Sequence, residues 1–454
     1  MGFAFEEYFA SLKDKNIAVL GLGISNRPLV KLLLQFGCRV TGCDRTPREK
    51  ADAAVLELEE LGCRLSLGDG YLDGVQADLV FRTPGMHPGN PALEKLREQG
   101  AEVTSEMEIF FELCPCKIIA VTGSDGKTTT TTLISEMLKE EGKTVWLGGN
   151  IGTPLLSKIP QMGKDDVAVV ELSSFQLMDM RRSPSVAVIT NISPNHLDVH
   201  KDMAEYVEAK KNIYRFQNDA DLLVLNADNE ITKSLRGNGN TRFFSRREKV
   251  AGAWNLDDAV WVNDRHVLNT GDILIPGTHN VENYMAAILA VRDMVSDETI
   301  VRVAKSFGGV AHRAELVRVK DGVKFYNDSI ASSPTRTIAG LRSFDQKLIL
   351  IAGGYDKHIP YDVIGPEICE HVKTVFLNGA TAPQIRKAVE AAPQYCPGCP
   401  EIVDCKDFTD AVYKAAATAR EGDIVFMSPA SASFDQFKNF EVRGNYFKKL
   451  VMEL

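Results

Sequence analysis

Lys117-Ile-Ile-Ala-Val-Thr-Gly-Ser-Asp-Gly-Lys-Thr-Thr129 runs from an apolar stretch that reads as a buried strand, through a turn bracketed by two glycines, into a segment that reads as a helix from about Thr129 to Glu141. Strand, glycine turn and helix N-terminus in that order make an anion cradle. Glycines let the backbone approach phosphates closely, and main-chain N–H groups with the helix dipole face the negative charge. Gly123, Ser124, Asp125, Gly126, Lys127, Thr128 and Thr129 are therefore expected to surround a triphosphate. Lys127 would neutralise its terminal phosphates, and the Thr128 hydroxyl would hold a magnesium ion. The strict phosphate-loop pattern wants a glycine where Val121 stands, so the turn is a variant, with an ordinary glycine-rich turn as the bland alternative.

Moving outward, strands are expected at Thr144–Leu147, Val167–Val170, Val186–Thr190 and Leu222–Leu225, with helices between them, notably Met203 to Phe216. Alternation of strand and helix predicts a mainly parallel sheet covered on both faces. Glu171 ends one buried strand, at the edge where such sheets bind ligands; it reads as a metal carboxylate or as a cap for the next helix. His196 follows another strand end in Asn191-Ile-Ser-Pro-Asn-His196-Leu-Asp198. Imidazole is an unusual partner for hard magnesium, and manganese would suit it better. From Thr241 to Ile275 short alternating strands are expected, with a turn at Asn263-Asp264 and then a helix from Asn280 to Val295. Asn280 and Asn283 share one helical face, as adenine readers or as a polar helix start with Asn280 as N-cap.

The flanks repeat the α/β grammar. Asn16–Leu20, the turn Gly21-Leu-Gly23-Ile-Ser-Asn26, an apolar-periodic helix, and Arg39–Cys43 ending at Asp44 form a nucleotide-binding half, although the third glycine of a dinucleotide fingerprint is missing. A nicotinamide dehydrogenase built on Gly21–Asp44 is the competing reading. Beyond Phe307-Gly308-Gly309, a hairpin turn at Asp321-Gly322 opens a third unit with strands at Lys347–Ala352, Thr374–Leu377, Glu401–Val403 and Asp423–Met427. The expected fold is α/β with three domains: a Rossmann-like one over 1–112, a central phosphate-loop ATPase-type domain with a mainly parallel sheet over 113–311, and a Rossmann-like one over 312–454.

At 454 residues, the chain has material for about three cores. Its 52 basic and 61 acidic residues leave a net charge of −9, which argues against a general nucleic-acid binder. No apolar run approaches a membrane span, the N-terminus has no signal-peptide character, and Glu6 stands where myristoylation needs Ser or Thr. Nine cysteines without an export signal fit free thiols and a cytoplasmic location. Cys396-Pro-Gly-Cys399 lacks the second pair of a zinc cluster and reads as a solvent loop. Cys114-Pro-Cys116 sits at the first domain boundary.

Thr122–Thr129, Gly148-Gly-Asn-Ile-Gly152, Glu171-Leu-Ser-Ser-Phe-Gln-Leu177, Asn191 to Asp198, His279-Asn280 and Asn327-Asp328-Ser329 together resemble, in order, the signatures of the Mur ligases of bacterial cell-wall synthesis. The run Ser428-Pro-Ala-Ser-Ala-Ser-Phe-Asp-Gln-Phe-Lys-Asn-Phe440-Glu-Val-Arg-Gly444 is most similar to members that add D-glutamate. The resemblance implies ATP-dependent ligation of D-glutamate to UDP-N-acetylmuramoyl-L-alanine through an acyl phosphate, by a cytoplasmic monomer with no nucleic-acid or membrane partner. It implies two magnesium ions: Thr128 and Glu171 at the first, His196 and a carbamylated Lys210 at the second, with manganese possible. Without it Lys210 reads as an exposed helix lysine.

By the same resemblance, Asn150 contacts substrate, Asn280 and Asn283 face adenine, and Arg313 and Asp328 reach ATP from the third domain. Gly23, Ile24, Ser25, Asp44 and Arg45 contact the uridine nucleotide. Ser332, Lys357, Ser433 and Phe440 hold D-glutamate. One departure stands out: Ile330 occupies a position where the family usually has lysine, and Arg336 is the nearby cation expected to substitute. A ligase for another amino acid, a folate-polyglutamate type enzyme, and a nucleotide-binding scaffold without turnover are the other readings.

Overall fold

The computed structural model describes residues 5–196 and 199–454. Two compact units are formed. One runs to Leu268 and takes in Glu282–Ile300; the other comprises Asn269–Val281 and Val301–Leu454. Their strands make three sheets.

The first sheet is wholly parallel, in the order Arg64–Leu67, Arg39–Asp44, Asn16–Leu20, Leu79–Phe81, Glu102–Thr104. The chain leaves the central strand Asn16–Leu20 towards one edge and later returns to the other. Its C-terminal end is therefore a switch point, and the Gly21–Asn26 turn sits there. Every residue of Leu79–Phe81 is buried, as expected of a strand covered on both faces.

The second sheet has nine strands. Arg265–Asn269, Ala259–Val262 and Gly252–Leu256 are followed by Asn240–Ser245, Leu222–Asn226, Val186–Ile189, Lys117–Thr122, Val167–Glu171 and Val145–Gly149. The last six strands run parallel. Gly252–Leu256 and Ala259–Val262 form an antiparallel hairpin through Asp257 and Asp258, both at positive φ. The expected turn at Asn263-Asp264 also adopts positive φ at both residues. Lys117–Thr122 lies between Val167–Glu171 and Val186–Ile189, so three loops converge beyond its end.

The third sheet orders Glu315–Lys320, Val323–Asn327, Ile424–Met427, Leu348–Ala352, Val372–Leu377 and Glu401–Asp404. Only its first pair is antiparallel, closed by Asp321-Gly322 at φ +50° and +74°. Phe344 packs edge-on against Tyr326 and Phe426 on one face, and Phe447 is buried on the other. No described helix is long and apolar enough to cross a membrane.

The first two sheets share one apolar cluster, from Phe9 and Leu33 through Phe110, Leu156 and Ile159 to Ile213. Where they meet, Glu106 is buried and accepts the Leu156 N–H at 3.0 Å. Burial outweighs that bond and pushes its carboxyl up to about 7. The folded protein therefore holds this proton where the unfolded chain, near 4.5, has lost it. Stability from this group falls as pH rises from about 4.5 to about 7, and the loss persists above that. Glu106→Gln, which keeps an acceptor for Leu156, is expected to be more stable than the natural protein at pH 8 by up to about 3 kcal/mol and no more stable at pH 4.5. Urea midpoints at the two pH values check this.

Candidate active site

Thr122 to Lys127 forms a cradle tied at every point to its neighbours. Gly123 adopts φ +152°, and a side chain there would collide with the Thr190 hydroxyl. Ser124 N–H donates to Asn191 O at 2.9 Å, and Asp125 N–H donates to Asn191 Oδ1 at 2.9 Å. Ser124 Oγ donates to Ser193 O. Gly126, at φ +78°, abuts Asn283, whose Oδ1 accepts the Thr130 hydroxyl at 3.2 Å. The helix then begins at Lys127, two residues earlier than expected, and runs to Glu140. The Lys127 ammonium folds over the loop, donating to Gly123 O at 3.0 Å and Ser124 O at 2.8 Å. Thr128 is half-buried in the first turn, and Thr129 is buried.

Glu171 ends the adjacent strand and is 1% exposed. Asn150 donates its side-chain amide to Glu171 Oε1 at 2.8 Å and its main-chain N–H to Glu171 O at 2.8 Å. Oε2 is buried without a hydrogen-bond partner. The Gly148–Gly152 turn makes this possible: Gly149 sits at φ +94°, and a Cβ would strike the Glu171 carbonyl. A buried carboxylate oxygen with no donor is costly unless a cation meets it, so this oxygen suits a hard divalent metal, although no group of three or more His, Cys, Asp or Glu stands together among the described residues.

Lys210 does not fit the alternative of an exposed helix lysine. It is buried, not on an exposed helix face, and donates to Gly123 O at 2.8 Å and Thr122 Oγ1 at 3.2 Å. Its ammonium lies 4.7 Å from the centre of the Tyr206 ring. Burial drives its pKa well below the usual lysine range; Lys127 pushes the same way, against Asp125 and Glu171. His196 is exposed at φ +55°, with its ring edge-on to Phe175 at 5.2 Å. Leu197 and Asp198, the end of the expected Asn191–Asp198 run, lie outside the described residues. So Lys127, Thr128, Asn150, Glu171 and Lys210 gather around one sheet edge, with His196 at its rim.

At the first sheet, Gly23, Ile24, Ser25 and Arg45 are exposed around the switch point. Asp44 accepts from Leu22 N at 2.8 Å and Thr46 N at 2.9 Å. Burial raises its pKa, but these bonds together outweigh it and the net shift is downward. Both oxygens thus serve the turn itself. Ser25, Arg82, Pro84, Gly149 and Gln176 line one cleft, joining this turn to the Asn150 turn.

The second unit has its own polar centre. Asp328 is buried; Ser428 Oγ donates to it at 2.7 Å and Ala314 N–H at 3.2 Å, and burial lifts its carboxyl to about 7. Arg443, 2% exposed, donates to Ser329 Oγ and O, Ser431 O and Ala432 O at 2.9–3.1 Å. Burial lowers its pKa to about 10. Ser433 is buried beside this knot, and Phe440 begins the helix Phe440–Glu453 that carries Arg443. Ser332 is half-buried, while Arg313 and Lys357 are exposed. Asn280 is not an N-cap: its helix begins at His279, and its amide donates to Pro276 O at 2.6 Å.

The chain matches the Mur ligase middle domain over residues 121–291 and the Mur ligase glutamate ligase domain over 312–431. A UDP-N-acetylmuramoylalanine–D-glutamate ligase of Acetivibrio thermocellus is 52% identical, covering 99% of both chains. Its counterpart in Clostridium novyi is 49% identical with the same coverage. The chain belongs to the Mur ligase family. Among solved structures, UDP-N-acetylmuramate-alanine ligase from Thermotoga maritima superposes with a TM-score of 0.59 at 18% identity, covering 97% of this chain and 99% of that one. That likeness bears on the α/β fold alone.

In this Mur ligase, sequence reasoning missed Arg82, Glu106 and Arg443. Each is a buried ionisable side chain with at least one partner far along the chain, and local patterning carries no mark of that. Cys396 and Cys399 are exposed and bridge a two-residue turn, in keeping with a solvent loop. Gly149→Ala is expected to lose about 1–3 kcal/mol of stability, because strain at positive φ adds to the collision with Glu171. Gly62→Ala, also at positive φ (+101°) but facing open space, should lose less. Urea denaturation of the two variants separates collision from strain.

Proposed function

We propose that this chain joins D-glutamate to UDP-N-acetylmuramoyl-L-alanine at the expense of ATP, in the cytoplasm and as a monomer, for peptidoglycan synthesis. The observation that carries the reading is the unpartnered, buried Glu171 oxygen in a cradle with Lys127 and Lys210. The relatives named for this ligation, near 50% identity over the whole chain, support the choice of substrates. The labour divides among a UDP-sugar domain over 1–112, an ATP domain over 113–311 and an amino-acid domain over 312–454.

In this reading the glycine amides and Lys127 grip the β- and γ-phosphates, Lys127 exchanging the Gly123 and Ser124 carbonyls for phosphate oxygens. Asn283 lies against the loop where adenine would be read; Asn280, Arg313 and Asp328 complete the ATP site. Thr128 and Glu171 would hold one magnesium ion, and His196 and Lys210 a second, for which manganese is also suited. Held by these residues, such ions would supply positive charge against the transferred phosphate. An ammonium has only donors and cannot ligate a cation. Burial favours the neutral Lys210 amine, which can add carbon dioxide and release a proton to give a carbamate oxygen ligand.

With the uridine end of the UDP-sugar held by Gly23, Ile24, Ser25, Asp44 and Arg45 and the substrate contacted by Asn150, the free carboxylate of its L-alanyl group bonds to the γ-phosphorus as the bond to ADP breaks. The amine of D-glutamate, held by Ser332, Lys357, Ser433 and Phe440, attacks the acyl carbon. The tetrahedral intermediate loses phosphate, and the amine gives up its proton. Positioning and charge compensation are the protein's share of the work.

Phosphate release with UDP-N-acetylmuramoyl-L-alanine and ATP is expected with D-Glu and not with L-Glu, L-Lys or diaminopimelate. Lys127→Ala should abolish it; preference for another amino acid, or full turnover without Lys127, refutes the reading. Arg336 donates to the Ile330 carbonyl at 3.3 Å, which supports it as the cation replacing the family's lysine. Arg336→Ala is expected to raise the KM for ATP or substrate about tenfold, and unchanged constants refute that role.

A further inference from the structure

The turn that follows Leu79–Phe81 supplies Arg82 and Pro84 to the wall of the cleft described above, and it carries a charge bonded on every side. Arg82 is 1% exposed. Nε donates to Asp179 Oδ2 at 3.1 Å, and Nη2 pairs with the other carboxylate oxygen. Nη1 donates to Met86 O at 2.6 Å and Thr83 O at 3.1 Å; Nη2 also reaches Phe175 O at 3.4 Å. All five guanidinium hydrogens have an acceptor. Two acceptors lie in its own turn. The others belong to the segment just after Glu171, whose helix is Ser174–Leu177.

Five residues on, His87 makes a second attachment. Gly89 N–H donates to His87 Nδ1 at 3.0 Å, so the hydrogen sits on Nε2, which donates to Glu205 Oε1 at 3.1 Å. Glu205 lies in the first turn of Met203–Arg215, the helix that buries Lys210. Its other oxygen accepts Lys201 N–H at 2.7 Å. His200 stacks on Phe175 at 5.3 Å and bonds Ser174 Oγ at 2.9 Å, which links the two segments to each other.

We propose that Arg82 is a positioning residue for the ligation: the Arg82–Gly89 turn locks the sheet that takes the UDP-sugar to the two segments carrying Glu171 and Lys210, and so fixes the reach of the substrate's alanyl carboxylate to the phosphate. This rests on the reaction proposed above. Arg82 also lines the cleft shared by Ser25 and Gly149, so the lock stands beside the path between sugar and phosphate. A planar fork satisfied on every hydrogen sets both distance and angle, which a lysine's point charge does not. Misplacement by about 1 Å is enough to lower turnover on the order of a hundredfold.

The test uses the full-length protein, with Arg82→Lys, Asp179→Asn and their combination. Phosphate release is measured at saturating UDP-N-acetylmuramoyl-L-alanine, D-glutamate and ATP, alongside binding of a non-hydrolysable ATP analogue. The natural protein must turn over; if it does not, the functional reading fails and the lock is not what failed. Expected for each single variant is a kcat about tenfold or more below the natural protein. Analogue binding should remain at one per chain with affinity within about twofold, which a loss of folded protein would not allow. The double variant is expected to be no slower than the slower single one, since both changes break one contact. Should Arg82→Lys fail to fold, Asp179→Asn and Glu205→Gln carry the same comparison. Turnover within threefold of natural in the single variants overturns the proposal; so do additive losses, or analogue binding that falls in step with kcat.

Discussion

Glu171 is buried at the end of a parallel strand with one oxygen satisfied and the other not. Much of the first unit follows from keeping that carboxylate there. Asn150 can reach it only because the Gly148–Gly152 turn brings main chain against main chain. The strand Lys117–Thr122 must lie next to Val167–Glu171 for the phosphate turn to share the same edge, and the sheet order delivers this. Lys210 then reaches the start of the phosphate turn, at Thr122 and Gly123. Its charge costs burial energy that Asp125 and Glu171 partly offset. Three chemically costly features, an orphan oxygen, a buried lysine and left-handed glycines, thus stand together, as expected where a binding site sets the structure rather than stability.

The α/β character and the phosphate turn were legible because they rest on short-range signals: apolar strands, glycines at a turn, a lysine and threonine at a helix start. The turns at Asp321-Gly322 and Asn263-Asp264 were legible for the same reason, since both demand positive φ. Lys210 was named only through the family resemblance. Its helix is amphipathic by spacing, and nothing local says that one lysine faces inward. Arg82 and Asp179 are 97 residues apart, and Arg443 and Ser329 are 114 apart. Such pairs exist only once the sheets have been assembled. The same holds for Asn280, where an amide near a helix start reads as a cap until the helix is seen to begin one residue earlier.

Arg443 plays in the second unit a part like that of Arg82 in the first. It holds the turn after Asn327 and the loop 431–432 in one arrangement through carbonyl oxygens, with its charge left to Asp435 and Asp328 at longer range. Both arginines gather main-chain carbonyls from turns and loops, most of which lie outside any strand ladder. That is the task for which a planar, many-donor cation suits better than any apolar side chain.

The glycine turns differ in how they can drift. At Gly123 and Gly126 the atoms that bar a side chain belong to Thr190 and Asn283, and neighbours of that kind can be exchanged. At Gly149 the barrier is the peptide of Glu171 itself. Exchanging a neighbouring side chain does not move a carbonyl that the sheet holds in place, so a larger residue at 149 can be offset only by stability gained elsewhere in the fold.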